Sequence, residues 1–423
     1  MIQSASYLFS RLVNTTFYFA IKIYFYINNG IRMKHINFGL FAFFVLCCSL
    51  LQAQKAPSPF VIEAQYSVGK VLPIYSYFPK TNISNNVELF LGYQTYGKQQ
   101  WNNFFKYPRI GMSLLFQELG NSKIMGQVIS FVPTVYFPTT KKENAKVFAE
   151  IRYGLGLACI TSPYNSLSNP NNKGAGGHVA WQFEIGANLR WNITKQISLQ
   201  TGVVFYHLSN AHTKLPNVGV NNVAGTIGLL MHPFGKPARE YTQDSLPLDK
   251  KWHVSFRFSS GFQERGSAFG PVGGKKYPVY SASLYTSKLL GKIVTFKTGF
   301  TYRYYPLYKE FNETQGIFQS NQVLGSSAFI WMFGFEFLVG RFGINLESGV
   351  NLYKPGFKQF HKFYEESTPW DDITKQYFPT SFGLNYYILN PYKHPRNNVF
   401  IGAAVAANFG QAEFLELSIG YRY

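Results

Sequence analysis

Alternation with a period of two, apolar on one side and polar on the other, recurs in strand-length blocks and constrains the fold of this chain more than any other feature. In residues 179–191 the odd positions are Val179, Trp181, Phe183, Ile185, Ala187, Leu189 and Trp191. The even positions are Ala180, Gln182, Glu184, Gly186, Asn188 and Arg190. Successive side chains of a β-strand point to opposite faces, so this block sets a solid apolar row back to back with Glu and Arg. Residues 341–352 repeat the arrangement, with Phe342, Ile344, Leu346, Val350 and Leu352 opposed to Arg341, Asn345, Glu347 and Asn351. In 329–339 the row is Phe329, Trp331, Phe333, Phe335, Phe337 and Val339. Soluble sandwiches alternate as well, but rarely place an aromatic row opposite charges in strand after strand. A barrel with hydrocarbon outside and a polar lumen inside requires it.

Composition narrows the class in the same direction. Of 423 residues 18% are aromatic, with 41 Phe and 30 Tyr, and only 14% are charged, few for a soluble surface. The body has no apolar run near the ~20 residues of a membrane helix. The expected fold class is therefore all-β: an antiparallel transmembrane β-barrel of the bacterial outer membrane. The net charge of +20 comes from dispersed basic residues without a nucleic-acid-binding motif, and suits an anionic membrane surface such as lipopolysaccharide phosphates. Nucleic acid is not an expected partner, and oligomeric state is not legible. No cluster has metal-ligand spacing and no glycine loop suits a phosphate, so neither metal nor cofactor is expected.

Residues 33–53 read as a signal peptide: Met33-Lys34-His35, the apolar run FGLFAFFVLCCSLL, then Ala53. Residues 1–32 are expected to be a gene-model extension. Of three cysteines, Cys47 and Cys48 lie in the apolar segment, leaving Cys159 alone in the body with no internal disulfide partner.

Counting amphipathic segments gives about sixteen strands. The expected organisation is 55–235, a Pro- and charge-rich linker at 236–250, and further strands over 251–423. One large barrel is preferred, the alternative being an eight-stranded barrel followed by a second barrel half. With the N-terminus periplasmic, the long connections (roughly 68–85, 159–177, 306–325 and 353–377) fall outside, and the tight turns at 192–196, 290–292 and 340–341 inside. The last strand carries Leu415, Leu417, Ile419, Tyr421 and Tyr423 on one face. A final amphipathic strand ending in an aromatic resembles the outer-membrane assembly signal, which implies the barrel assembly machinery as a partner.

One strand carries chemistry. Ile197, Leu199, Thr201, Val203 and Phe205 form an apolar row that His207 and Ser209 continue, so a base and a nucleophile share the greasy face at the outer end of an outward-running strand. Taken singly, the two could be interfacial polar residues at a strand rim, and Pro216-Asn217 a plain turn. His212 reads as a loop residue and His178 as a hydrogen-bonding lumen residue.

The stretch Tyr206-His207-Leu208-Ser209-Asn210-Ala211, followed by Lys214-Leu215-Pro216-Asn217-Val218-Gly219, resembles the active-site segment of the lipid A 3-O-deacylase (PagL-type)/acyloxyacyl hydrolase family of outer-membrane β-barrel esterases. The resemblance covers roughly residues 60–233, and residues 250–423 have no counterpart in the short family members. It implies Ser209 as nucleophile, His207 as general base and Asn210 as oxyanion donor. It also implies lipid A of lipopolysaccharide as substrate, water as acyl acceptor and no cofactor. The family places a glutamate fourteen residues after the histidine; here that position is Asn221. Asn can fix a histidine tautomer but cannot stabilise an imidazolium by charge. Glu184 belongs to the lumen-facing row and is a poor substitute. The competing expectation is a non-enzymatic barrel, a pore or structural protein with a degenerate site.

Overall fold

The computed structural model describes residues 57–142, 145–240, 249, 251–364 and 368–423. Sixteen strands form two closed antiparallel barrels of eight. The first comprises β1 (Phe60–Leu72), β2 (Ile83–Gln94), β3 (Arg109–Glu118), β4 (Gln127–Pro138), β5 (Val147–Ile160), β6 (Val179–Asn192), β7 (Ile197–Ser209) and β8 (Val220–Met231). The second comprises β9 (Trp252–Ser267), β10 (Gly270–Leu290), β11 (Val294–Tyr304), β12 (Ser327–Val339), β13 (Phe342–Tyr353), β14 (Pro379–Tyr387), β15 (Asn398–Asn408) and β16 (Gln411–Arg422). Each barrel closes on itself: β8 pairs with β1 from Ile62↔Met231 to Leu72↔Asn221, and β16 with β9 from Leu415↔Phe262 to Arg422↔Ser255. The expected sixteen strands are present, but the preferred single large barrel is not. A period-two pattern reports which way each side chain faces and says nothing of which strand closes on which. The expected signal peptide, the expected extension at 1–32, Cys47 and Cys48 lie outside the described residues, as does most of the expected linker.

The outward rows are those read from the sequence. Val179, Ile185, Leu189 and Trp191 on β6, Phe329, Trp331 and Phe335 on β12, and Leu417, Ile419 and Tyr421 on β16 are all exposed. Among the described residues no helix is long and apolar enough to cross a membrane; strands carry the apolar surface.

An eight-stranded barrel leaves an interior that side chains fill, so the wide lumen expected of a sixteen-stranded pore is absent. In the first barrel Arg152 donates to Glu88, to Glu184 (2.6 Å) and to Gln65 (3.0 Å). Arg109 donates to Glu63, to Glu150 (2.7 Å) and to Gln200 (3.1 Å), its guanidinium 4.1 Å from the Tyr136 ring centroid. Arg109, Arg152 and Tyr136 are each 0% exposed. The second barrel repeats the device with Arg257 bidentate on Glu347 (2.8 and 2.9 Å) and Lys297 3.3 Å from Glu336. Breaking a buried ion pair from one side strands the other charge, typically at a cost of about 3–5 kcal/mol. Arg152→Met should therefore lower the unfolding temperature of the detergent-solubilised protein sharply, and adding Glu88→Gln and Glu184→Gln should recover much of the loss. A melting curve unchanged by Arg152→Met would show that the network does not stabilise the barrel.

The odd-to-even connections gather at one end of both barrels. Two of them, expected only as long connections, contain the helices Pro306–Gln315, Pro355–Tyr364 and Pro369–Tyr377. Each opens on a proline, whose missing N–H costs nothing in a first helical turn. At the other end Trp101, Phe104, Phe105 and Ile110 of the first barrel pack with Leu338, Val339, Tyr392 and Phe400 of the second. Midway, Phe382 on β14 meets Phe183 on β6 edge-on at 5.5 Å.

Candidate active site

β7 carries His207 and Ser209 on its outward row at the loop-bearing end, both half-buried, while Tyr206 and Leu208 point inward and are buried. The β7–β8 register sets His207 directly opposite Asn221. Both point outward, and His207 Nδ1 lies 2.6 Å from Asn221 Oδ1. With the amide oxygen turned to the ring, Nδ1 carries the hydrogen and Nε2 is left as the basic nitrogen. The partner of the outer-row histidine is thus an amide. Glu184 sits fully buried inside the barrel, paired with Arg152, on the opposite face of the wall.

Ser209 is held by the loop that joins β7 to β8. Asn217, itself buried, donates from Nδ2 to Ser209 Oγ (3.0 Å), and its Oδ1 accepts from the Asn210 N–H (2.9 Å). That second bond fixes which way the Asn217 amide faces. The Ala211 N–H also donates to Ser209 Oγ at 3.2 Å. The serine oxygen therefore accepts two hydrogen bonds, and its own proton meets only Asn217 Oδ1, at a long 3.4 Å. Ala211 and His212 adopt left-handed backbone (φ 54° and 65°), conformations that cost non-glycine residues about 1 kcal/mol or more each and that persist only where the surroundings enforce them. Gly219 (φ +86°) passes the chain over the imidazole; a Cβ there would lie 3.0 Å from His207 Cε1. Among the described residues no hydrogen bond joins His207 to Ser209; such bonds commonly tighten only with substrate bound.

Asn210 is placed otherwise than a free oxyanion donor. Its Nδ2 donates to Lys214 O at 2.5 Å and its Oδ1 accepts from the Lys214 N–H at 3.4 Å, closing the loop on itself. The N–H groups that reach the serine oxygen belong to Ala211 and Asn217. His178 is exposed at the rim, bonded through Nδ1 to Ile160 O (2.8 Å), and is not the lumen residue expected. Asn217 had a signal in the sequence, but its turn composition accounted for it without any further role.

Two family models match this chain: "Lipid A 3-O-deacylase (PagL)" over residues 85–229 and "Acyloxyacyl hydrolase, C-terminal domain" over residues 251–423. The chain belongs to the PagL-type lipid A 3-O-deacylase/acyloxyacyl hydrolase family. The second match takes in the half for which the short members offer no counterpart. Among solved structures, the outer-membrane enzyme PagL is similar at 16% identity and a TM-score of 0.30, over 39% of this chain and 97% of that one. Neisserial surface protein A is similar at 10% identity and a TM-score of 0.28, over 42% and 99%. CdiB from Acinetobacter baumannii follows at 12% identity and 0.17, over 86% and 60%. No curated protein matches the chain.

Proposed function

We propose that this protein is an outer-membrane esterase that removes an ester-linked acyl chain from lipid A, with Ser209 as nucleophile, His207 as general base and Asn221 holding the imidazole. The observation that carries the reading is the state of Ser209. Its oxygen accepts from two N–H groups and its proton is held only by a long 3.4 Å bond to Asn217 Oδ1, two residues from a histidine whose Nδ1 is already bonded. The family membership supports the substrate class. So does the place of the pair, on the outward apolar row above Phe205 and Val203, where a lipid ester meets it without leaving the bilayer.

The steps follow from these residues. His207 Nε2 takes the serine proton as Oγ attacks the ester carbonyl. The negative charge of the tetrahedral intermediate develops beside Ser209, where the Ala211 N–H and the Asn217 amide are the nearest donors. Asn210 serves this pocket by holding the loop in shape. Collapse of the intermediate expels the sugar alkoxide, which takes the proton from His207 and leaves an acyl-serine. Water, deprotonated by the same imidazole, then releases the fatty acid and restores the serine. No step calls for a metal or cofactor.

The test is mass spectrometry of lipid A from cells that make the protein. A species lighter by one ester-linked acyl chain is the expected result, and an unchanged profile would refute the reading. Asn217→Ala should lower turnover about 100-fold, the usual cost of removing one donor to the developing oxyanion, with little change in KM. Turnover equal to wild type would show that Asn217 only shapes a turn.

A further inference from the structure

The second barrel reaches over the first. Among the described residues β9 and β10 are the longest strands, 16 and 21 residues, and their hairpin runs past its own barrel as an arm. At its tip Phe269 packs on Tyr75 (5.8 Å) and Tyr77 (6.3 Å) of the β1–β2 connection. Along its edge it bonds the β7–β8 loop three times. Glu264 N–H donates to His212 O (3.1 Å), the Leu215 N–H donates to the Glu264 carboxylate, and the Asn217 N–H donates to Ala268 O (2.8 Å). Glu264 is 1% exposed and, among the described residues, pairs with no cation; that loop amide is its hydrogen-bond partner. A buried carboxylate committed to a single backbone N–H makes that contact costly to lose.

The arm is braced from behind. Arg265 bonds Tyr364 through Nε (2.8 Å) and lies 3.6 Å from Glu310. Tyr277 donates to Glu310 (2.5 Å), which also pairs with Lys275. Glu310 and Tyr364 belong to helices of the second barrel's own connections. One residue then links the arm to the chemistry: the Asn217 backbone is held by Ala268, and the Asn217 side chain holds Ser209.

We infer that the second barrel acts as a positioning element for the first, its β9–β10 arm pinning the 210–219 loop through Glu264 and Ala268 so that Asn217 presents Ser209. This rests on the esterase reading for its effect on catalysis, though not for the clamp itself. It gives residues 251–423 a part in a reaction whose nucleophile lies elsewhere.

The test uses the full-length chain in detergent with Glu264→Ala and Glu264→Gln. Amide hydrogen exchange over residues 210–219 reads the clamp without substrate, and labelling by a fluorophosphonate reads the reactivity of Ser209. Glu264→Ala should speed exchange at Leu215 and Asn217 about tenfold, the weight of a lost hydrogen bond to a charged acceptor. It should slow labelling and deacylation by a similar factor, acting on kcat more than on KM. Glu264→Gln, which keeps an acceptor, should restore most of both. Unchanged exchange in Glu264→Ala would overturn the clamp. Faster exchange with undiminished labelling would overturn the link to Ser209. Should Ser209→Ala deacylate as well as wild type, the esterase reading falls, while exchange still decides the clamp.

Discussion

Ser209→Ala should leave lipid A with its full set of acyl chains, a fall in deacylation of about 10³-fold. The figure follows from what each part of such a site contributes. Removing the serine of a complete triad costs on the order of 10⁶ in kcat. Replacing a triad carboxylate by an amide costs about 10⁴ where the amide also enforces the wrong tautomer. Here Asn221 presents its oxygen to Nδ1, 2.6 Å away, so the tautomer is the useful one and only the charge is missing. About 10³ of the full effect is then left for the serine to lose. Ser209 is half-buried on the outer wall and its removal leaves the strand ladder intact, so the variant should fold and insert as wild type does. Equal deacylation by both proteins would remove Ser209 as nucleophile.

Asn221→Glu should raise turnover by about 10³-fold, the share of the full triad effect that the missing charge withholds. The β7–β8 register already sets position 221 opposite His207, so a carboxylate there would meet Nδ1 without rebuilding the wall. It would supply the charge that stabilises the imidazolium formed when Ser209 gives up its proton. It would also end a weakness of the amide: a flipped Asn221 would donate to Nδ1, leave the proton on Nε2 and silence the base. Asn221→Leu, similar in size with nothing to accept the Nδ1 proton, should fall below wild type. Turnover by Asn221→Glu no faster than wild type would show that charge behind His207 is not what limits this enzyme.

The barrel wall was legible because facing is a local property. Each outward residue of β6, β12 and β16 announces itself two positions from the next. Closure was not, since nothing in Ile62 or Met231 names the other as its partner. The helices at 306–315, 355–364 and 369–377 went unread although each opens on a proline, because none exceeds ten residues, too short for a helical period to stand out from the strands around it. Within the site, the shared face of His207 and Ser209 was readable from spacing on one strand, while Asn221 stood out only through the family resemblance. The bond between Asn217 and Ser209 was not readable, because a loop with three positive-φ residues makes it. Glu264 lay further out of reach: it meets Leu215 from a separate barrel, 49 residues along the chain.

Each barrel is zipped shut between its own first and last strands, and no strand of one pairs with a strand of the other. The described halves are thus woven as separate cloths, joined along the chain by the connection after Met231 and otherwise by loops and side-chain contacts. Damage at that seam need not unravel either piece. A substitution at Glu264 can unhook the arm while both barrels keep every ladder they have, so the chain can lose its grip on the serine while the strands of both barrels stay whole.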